Sequence, residues 1–299
     1  MTLQRLKTWF GGRGPVIGLP YLFLLAFFLL PFLVVFRISV SEMELVGFED
    51  VLRFEDGVLQ LSLKFSNYLF ILEDALYLRT YLSSLHYAAL ATLLCLLIGY
   101  PFAYFMARAR PSLQPALLMG VMLPFWTSFL LRVYAWKGIL ADQGIVNQAM
   151  MWLGITDEPI FMLYTNVSML VGMTYVYLPF MILPLYGNLA KLDLRLLEAA
   201  ADLGASPWTA FWKVTVPLSR AGIVAGSMLV FIPCVGEYVI PELLGGPETL
   251  MIGRVLWDEF FANNDWPMAS SVAVVMVLLI IVPLMLFNRA QAASQEAAR

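Results

Sequence analysis

Long apolar stretches alternate with shorter polar ones along the whole chain. Each of the longer stretches is about the length that a helix needs to cross ~30 Å of hydrocarbon. The pattern predicts an all-α membrane protein, with residues 1–299 forming a single transmembrane domain of six helices. The predicted spans are residues 16–36, 81–106, 117–137, 164–186, 221–240 and 266–287.

One stretch, Leu194–Leu218, is polar although apolar runs flank it on both sides; we call it the polar segment. Gly204 predicts the end of a first helix, because glycine adopts positive φ without steric cost. Ser206 followed by Pro207 is typical of a helix start, and Pro217 predicts the end of this second helix. The segment is either an ordinary connecting loop or a surface on which another protein docks.

Composition agrees with a membrane protein and charge predicts its orientation. Hydrophobic residues make up 61% of the chain and charged residues 13%, against about 25% charged residues in soluble domains. Lysine and arginine favour the cytoplasmic side, so both termini and the polar segment are predicted to be cytoplasmic in a multi-pass protein. The basic residues on that side are Arg5, Lys7, Arg13, Arg108, Arg110, Lys191, Arg195, Lys213, Arg220, Arg289 and Arg299.

The sequence contains no pattern typical of an enzyme. No phosphate-binding loop of the form G-x-x-x-x-G-K-[ST] occurs, so ATP is not expected to bind to this chain. The single histidine, His86, and the two cysteines, Cys95 and Cys234, lie in apolar surroundings. They do not make up a zinc ligand set, and we expect neither a metal site nor a nucleic-acid partner.

Glu237 is the leading candidate for substrate contact within the membrane. It follows an apolar run that contains Pro233, and an acid at the centre of a membrane helix costs at least ~2.5 kcal/mol. Such a group normally faces a water-filled path or a partner, so Glu237 either binds a cationic substrate, pairs with Arg132 or lies at the membrane interface. Glu242, five residues further on, is a second candidate.

Aromatic residues at similar predicted depths could line the same path. Aromatic rings attract ammonium groups by ~0.5–2 kcal/mol per contact, although many membrane Trp and Tyr residues belong to interfacial belts. Carboxylates among aromatic rings suit a flexible aliphatic diamine. The aromatic candidates are Trp126, Tyr134, Tyr177 and Tyr238.

The polar segment resembles the EAA loop of binding-protein-dependent ABC importer permeases. The resemblance rests on Glu198-Ala199-Ala200, on Gly204 after three intervening residues, and on Val214-Thr215-Val216-Pro217 after nine further intervening residues. Family members usually end this motif in Ile-x-Leu-Pro, and valine occupies both apolar places here. The resemblance implies the type I, MetI-like permease fold and a loop that couples to a cytoplasmic ATPase. The implied coupling residues are Glu198, Ala199, Ala200, Asp202, Gly204 and Pro217.

Further stretches are similar to the putrescine and spermidine importer permeases of that family, most of all to the first permease of putrescine systems. They are LPFWTSFLLRVYAW, GEYVIPELLGGPETLMIG and NDWPMASSVAVV. The resemblance implies a bacterial inner-membrane complex containing a second homologous permease, two ATPase subunits that bind ATP and magnesium, and a periplasmic polyamine-binding protein. The chain itself would hold no cofactor and contact membrane lipid.

Two alternatives remain open at this point. An importer of the same family could carry another solute, such as an amino acid, sulfate or ferric ion, and an anionic cargo would leave Glu237 without a role. A six-span channel or an integral membrane enzyme would work without an ATPase. Copurification of an ATPase with the chain would separate this second alternative from an importer.

Overall fold

The computed structural model describes residues 14–44, 47–48, 52–55, 58–247 and 249–297. The described residues divide into two compact units, one formed by those up to residue 75 together with those from residue 256 onward, and the other by those between residues 76 and 255. Of the basic residues that predict orientation, Arg5, Lys7, Arg13 and Arg299 lie outside the described residues.

Helices dominate the described chain. The first, α1, runs as Gly14–Leu24, a π-helical turn Leu25–Leu29 and Leu30–Ser39. The next are α2 (Ser66–Glu73), α3 (Ala75–Arg108), α4 (Gln114–Met122, extended by a 3-10 turn Leu123–Trp126), α5 (Phe129–Ile139), α6 (Ile145–Trp152) and α7 (Asn166–Leu189). The remainder are α8 (Arg195–Asp202), α9 (Pro207–Leu218, with a π turn Phe211–Thr215), α10 (Arg220–Val235), α11 (Val239–Leu244), α12 (Ile252–Trp257, with a π turn Asp258–Ala262) and α13 (Trp266–Ala297).

Two short antiparallel hairpins interrupt this helical pattern. Strands β1 (Met43–Glu44) and β2 (Gly47–Phe48) pair with each other, as do β3 (Leu52–Glu55) and β4 (Val58–Leu61). The all-helical prediction did not include them. Hairpins this short carry little periodicity, which is the main signal by which a sequence pattern predicts strands.

The first unit joins α1 to the start of α13. The Ser271 hydroxyl donates to the backbone carbonyl of Ser39 over 2.8 Å, and Ser39 in turn shares a 2.6 Å hydrogen bond with the Tyr68 hydroxyl. Lys64 pairs with Glu42 over 2.6 Å, and this hydrogen bond lowers the pKa of the Glu42 carboxyl. Polar contacts therefore fix one end of α1, while its apolar length is largely exposed, as expected for a helix in lipid.

In the second unit, α10 packs closely on α7 through glycine. A Cβ added at Gly226 would lie 2.8 Å from Met181 Sδ and 3.1 Å from the Met181 carbonyl oxygen. One at Gly222 would lie 2.8 Å from Asn188 Cβ and 3.1 Å from the Pro184 carbonyl oxygen. The GxxxG spacing thus permits the close backbone approach for which small residues are used between membrane helices.

The lengths and composition of the helices only partly determine how many times the chain crosses a membrane. Among the described residues, three helices are long and apolar enough by themselves, Val16–Ser39, Ala75–Arg108 and Asn166–Leu189. Two bent pairs raise the number to five, and Trp266–Ile281 is a shorter apolar helix. Six spans therefore remain a prediction.

The predicted third span, residues 117–137, is not one continuous helix. Its two parts, Gln114–Trp126 and Phe129–Ile139, meet at 91°. Thr127 and Ser128 have extended ψ angles of 152° and 137°, and Pro124 has no N–H to continue the helical pattern before them. The chain turns sharply at this point.

The predicted fifth span, residues 221–240, also ends earlier as a helix. Helix α10 stops at Val235, and α11 begins at Val239. Gly236, Glu237 and Tyr238 form the break between them. Two of the predicted path residues therefore lie at a helix break rather than inside a regular span.

Candidate functional site

The first turn of the polar segment has the geometry that its sequence predicts. Helix α8 ends with the N–H of Ala205 bonded to the carbonyl of Ala200 and the N–H of Gly204 bonded to that of Ala201, at 2.9 and 2.8 Å. These two bonds define a Schellman motif, in which the residue at Gly204 needs positive φ. Its φ is +79°. Gly204 therefore sets the angle at which the chain leaves α8.

The second turn is fixed by a helix cap. The Ser206 hydroxyl accepts the backbone N–H of Thr209 over 3.2 Å, and Pro207 is the first residue of α9. Pro217 lies inside the last turn, and the helix ends one residue later at Leu218. Residues Phe211–Thr215 form a π turn shortly before this proline. The backbone hydrogen bonds there follow the π pattern instead of the α pattern, and Pro217 itself has no N–H to donate.

The turn between α8 and α9 exposes both charged and large apolar side chains. Glu198 and Asp202 are exposed on α8. Leu203 is 89% exposed and Trp208 is 71% exposed. The turn therefore presents a leucine and a tryptophan beside two carboxylates.

An aromatic cluster attaches α9 to the end of α3. Phe211 packs edge-on against Tyr100 and Tyr104, with ring centroids 5.6 and 5.8 Å apart. The Tyr100 hydroxyl forms a buried 2.8 Å hydrogen bond with the hydroxyl of Ser219. The polar segment is therefore packed directly against α3.

The approach to α8 is stabilised by a local ion pair. The Arg195 side chain donates to both carboxylate oxygens of Asp193, with a shortest distance of 2.8 Å. These hydrogen bonds lower the pKa of the Asp193 carboxyl. Both side chains are solvated, so the pair orders the turn before α8 more than it stabilises the protein.

Glu237 occupies the break between α10 and α11 and is only 8% exposed. Its Oε1 accepts the backbone N–H groups of Val239 and Ile240 over 3.0 and 3.4 Å, and its Oε2 accepts the Tyr177 hydroxyl. The carboxylate thus caps the start of α11 and joins it to α7. These donors offset the cost of burying a charge.

Neighbouring backbone encloses the same break. A Cβ at Gly253 would lie 2.5 Å from the Gly236 carbonyl oxygen and 2.7 Å from that of Glu237. The N–H of Ile252 donates to the Ser84 hydroxyl over 2.7 Å. The chain after α11 therefore folds back against the break and holds it from the other side.

The remaining predicted path residues do not converge on Glu237. Trp126 and Tyr134 are 77% and 53% exposed, and they lie before and after the bend between α4 and α5. Tyr238 lies half-buried beside Glu237 in the break. Glu242, on α11, pairs with Arg254 over 3.0 Å. Tyr177, one of the predicted aromatic residues, donates its hydroxyl hydrogen to the Glu237 carboxylate.

The pairing of Glu237 with Arg132, considered from the sequence, is not formed. The Arg132 guanidinium lies over the Phe125 ring, 5.5 Å from its centroid. Its Nε and Nη1 atoms are buried and have no hydrogen-bond partner among the described residues. His86 packs edge-on against Tyr87, and both cysteines are buried and free.

Sequence reasoning missed the contacts that join distant elements. Tyr100 and Ser219 are 119 residues apart, and Ser84 and Ile252 are 168 residues apart. Neither pair belongs to a motif or shares a helical face. Buried hydroxyls in apolar runs, such as Ser84 in LRTYLSSLHY, are the available signal, because they need a partner once they leave water.

The helices, the punctuated polar segment and the broken span define a membrane transport component. Residues 16–295 match the model of the family described as the binding-protein-dependent transport system inner membrane component, and the chain belongs to this family. Membership places it among permease components of the inner membrane rather than among enzymes.

Curated relatives cover most of the chain. A spermidine/putrescine transport system permease protein, PotB, of Salmonella typhimurium strain SL1344 is 37% identical over 253 residues, which is 85% of this chain and 88% of the relative. The protein of the same name from Haemophilus influenzae is 42% identical over 217 residues, or 73% of this chain and 76% of the relative.

Solved structures share the fold at low sequence identity. A bacterial ABC transporter that imports the acidic polysaccharide alginate aligns with a TM-score of 0.67 and 15% identity, over 92% of this chain and 93% of that one. The MetNI methionine ABC transporter in an inward-facing form aligns at 0.55 and 16%, over 76% and 98%. The chain therefore has the type I ABC importer permease fold.

Proposed function

We propose that this chain is a membrane subunit of an importer that moves putrescine or spermidine across the bacterial inner membrane. The observation that carries the proposal is the 37–42% identity to permeases named for spermidine and putrescine over most of the chain. A buried carboxylate at a helix break, next to a half-buried tyrosine, is chemically suited to an ammonium cargo.

In the proposed complex the chain pairs with a second homologous permease. Two separate ATPase subunits bind ATP and magnesium, and a periplasmic polyamine-binding protein delivers the cargo. Both termini and the polar segment face the cytoplasm. An exposed surface on the polar segment supports the proposed contact with an ATPase, because it offers both charged and apolar side chains. Its residues are Glu198, Asp202, Leu203 and Trp208.

The proposed coupling runs from the polar segment into the membrane helices. ATP binding closes the two ATPase subunits, which pull on the surface that includes Glu198, Ala199, Ala200 and Asp202. The bend at Gly204 and the aromatic contact of Phe211 with Tyr104 carry this displacement to α3. Helix α9, with Pro217 in its last turn, leads directly into α10. Helices α3 and α10 would therefore tilt together when the polar segment moves.

The path residues are proposed to act transiently. Glu237 contacts the cargo when an ammonium group replaces the Tyr177 hydroxyl, and Tyr238 lies beside the same break. Trp126, Tyr134 and Glu242 would contact the cargo elsewhere along the route. Weak contacts are required, because a tight midway site would prevent release.

Uptake measurements test the substrate. Cells or vesicles with the assembled transporter are given labelled putrescine, spermidine, an amino acid, sulfate and ferric ion in parallel. We expect ATP-dependent uptake of one or both polyamines and background uptake of the other solutes. Saturable uptake of sulfate or ferric ion without polyamine uptake would contradict the proposed cargo and leave the family assignment intact.

A further inference from the structure

Ser219 is the single residue between α9 and α10, and the two helices meet there at 64°. The residue is completely buried. Its φ of −90° and ψ of 3° lie in the sparsely populated bridge region rather than in the helical region. It occupies the N-cap position of α10. A serine at that position usually accepts a backbone N–H from the first turn of its helix.

The Ser219 hydroxyl makes no capping hydrogen bond to α10 within the described part of the chain. It donates instead to the backbone carbonyl of Val216 over 3.0 Å, and it shares the buried 2.8 Å hydrogen bond with the Tyr100 hydroxyl. A serine hydroxyl has one hydrogen to give. Because that hydrogen goes to Val216, Tyr100 is the donor to Ser219. The two hydroxyls therefore form a directed chain of hydrogen bonds from α3 to the last turn of α9.

The backbone alone does not hold α9 and α10 at a fixed angle. Pro217 has no N–H to donate, and the N–H of Ser219 is shared between the carbonyls of Thr215 and Val216, at 3.0 and 3.2 Å. The π turn Phe211–Thr215 comes just before. The regular α-helical hydrogen-bond pattern is thus interrupted throughout the approach to the bend, so side-chain contacts from α3 can determine its angle.

We infer that Tyr100 is a positioning residue for transport, whose hydroxyl fixes the bend between α9 and α10. The inference rests on the proposed coupling function and adds the contact that carries displacement into α10. The Tyr100 ring packs against Phe211, with centroids 5.6 Å apart, while its hydroxyl holds Ser219 at the far end of α9. Without this hydroxyl, α9 stays attached to α3 through the rings but pivots at Ser219. ATP hydrolysis would then proceed without moving α10.

Two variants remove the two partners of this hydrogen bond separately. Tyr100→Phe deletes the hydroxyl and keeps the ring that packs against Phe211, and Ser219→Ala deletes the acceptor. Tyr104→Phe is the control for the first variant, because Tyr104 packs against the same Phe211 ring at 5.8 Å. Ser227→Ala is the control for the second, because Ser227 is a half-buried serine further along α10. Since both variants break one contact, their combination should cost no more than Ser219→Ala alone.

The first measurement is the amount of polyamine taken up per ATP hydrolysed, determined on the same vesicles that contain the assembled transporter. We expect this ratio to fall about fivefold in Tyr100→Phe and Ser219→Ala, the lower end of the usual range for coupling between sites. The KM for polyamine should stay unchanged, and both controls should keep the native ratio. A merely structural role would instead lower assembly, ATP hydrolysis and uptake in proportion. An unchanged ratio in Tyr100→Phe would overturn the assignment.

The second measurement does not depend on the cargo. Spin labels on Lys213→Cys and Leu229→Cys occupy exposed positions on either side of the bend, and the native cysteines are buried. Electron paramagnetic resonance distances are then recorded on the assembled transporter with and without ATP. We expect one narrow distance that ATP leaves unchanged, and a broad distribution once Tyr100→Phe or Ser219→Ala is added.

Equal widths in variants and controls would overturn the assignment, even if uptake falls. A native transporter that shows the expected widths but takes up no polyamine would contradict the proposed cargo and leave the role of Tyr100 intact.

Discussion

At the scale of single residues, the sequence predicted which residues are important for the local structure better than it predicted the contacts that those residues make. Gly204 was expected at a helix end, and its φ of +79° within a Schellman motif confirms that role. Glu237 was expected at membrane depth, but its buried contacts with two backbone N–H groups and Tyr177 could not be predicted. Those donors depend on where α10 stops, and Pro233 lies two residues before that end without marking it.

A substitution at Gly204 tests the bend in the polar segment. We expect Gly204→Val to lower polyamine uptake strongly while ATP hydrolysis by the complex continues, because left-handed φ costs a side-chain residue roughly 1–2 kcal/mol. Asparagine tolerates this conformation better than other residues, so Gly204→Asn is the matched control. Uptake and ATPase rates are measured on the same vesicles. Normal uptake in Gly204→Val would show that the bend is not required.

Glu237→Gln separates charge from capping. Glutamine can still accept the backbone N–H groups of α11 through its carbonyl oxygen, but it has no charge for a cationic cargo. We expect the complex to assemble and polyamine uptake to fall about tenfold, corresponding to roughly 1.4 kcal/mol. Uptake is normalised to the purified amount of assembled transporter, and Tyr177→Phe serves as the comparison that keeps the charge. Unchanged uptake kinetics in Glu237→Gln would make its role purely structural.

At the scale of elements, apolar length located the helices and proline marked where they are irregular. Helices Ala75–Arg108 and Asn166–Leu189 contain the predicted spans at 81–106 and 164–186 almost completely. Neither the 91° bend near Pro124 nor the helix break after Val235 could be predicted from the sequence. A proline predicts an irregularity, but packing decides whether the helix kinks, turns or ends. The hairpins in residues 43–61 had no usable signal.

The contact between α10 and α7 gives a prediction about packing. Gly226→Val should destabilise the permease by about 1–3 kcal/mol, because the side chain would overlap Met181 and overpacking of a tight interface costs this much. Gly187→Val is the control, since a Cβ there meets nothing within 4 Å. Thermal unfolding of the detergent-solubilised complex is the measurement. Equal unfolding temperatures for the two variants would contradict the close approach.

At the scale of the whole molecule, the chain is a transport component that depends on other proteins for energy. The family model spans residues 16–295, and the absence of a phosphate-binding loop from the sequence agrees with a separate ATPase. The resemblance in the polar segment predicts this class from the sequence alone, since the motif formed by Glu198, Gly204 and Pro217 is long and specific. The proposal that the cargo is a polyamine rests on relatives that are 37% and 42% identical to this chain.

Cysteine cross-linking at Leu203 in the assembled transporter tests the coupling claim most directly. Leu203 is 89% exposed at the tip of the polar segment, and the native Cys95 and Cys234 are buried. Ile155→Cys is the control, because this exposed residue lies on the predicted opposite side of the membrane. The account predicts that Leu203→Cys cross-links to an ATPase subunit with a yield that changes on ATP binding, while Ile155→Cys does not. No ATPase cross-link from position 203, or labelling of position 203 from the periplasmic side, would contradict it.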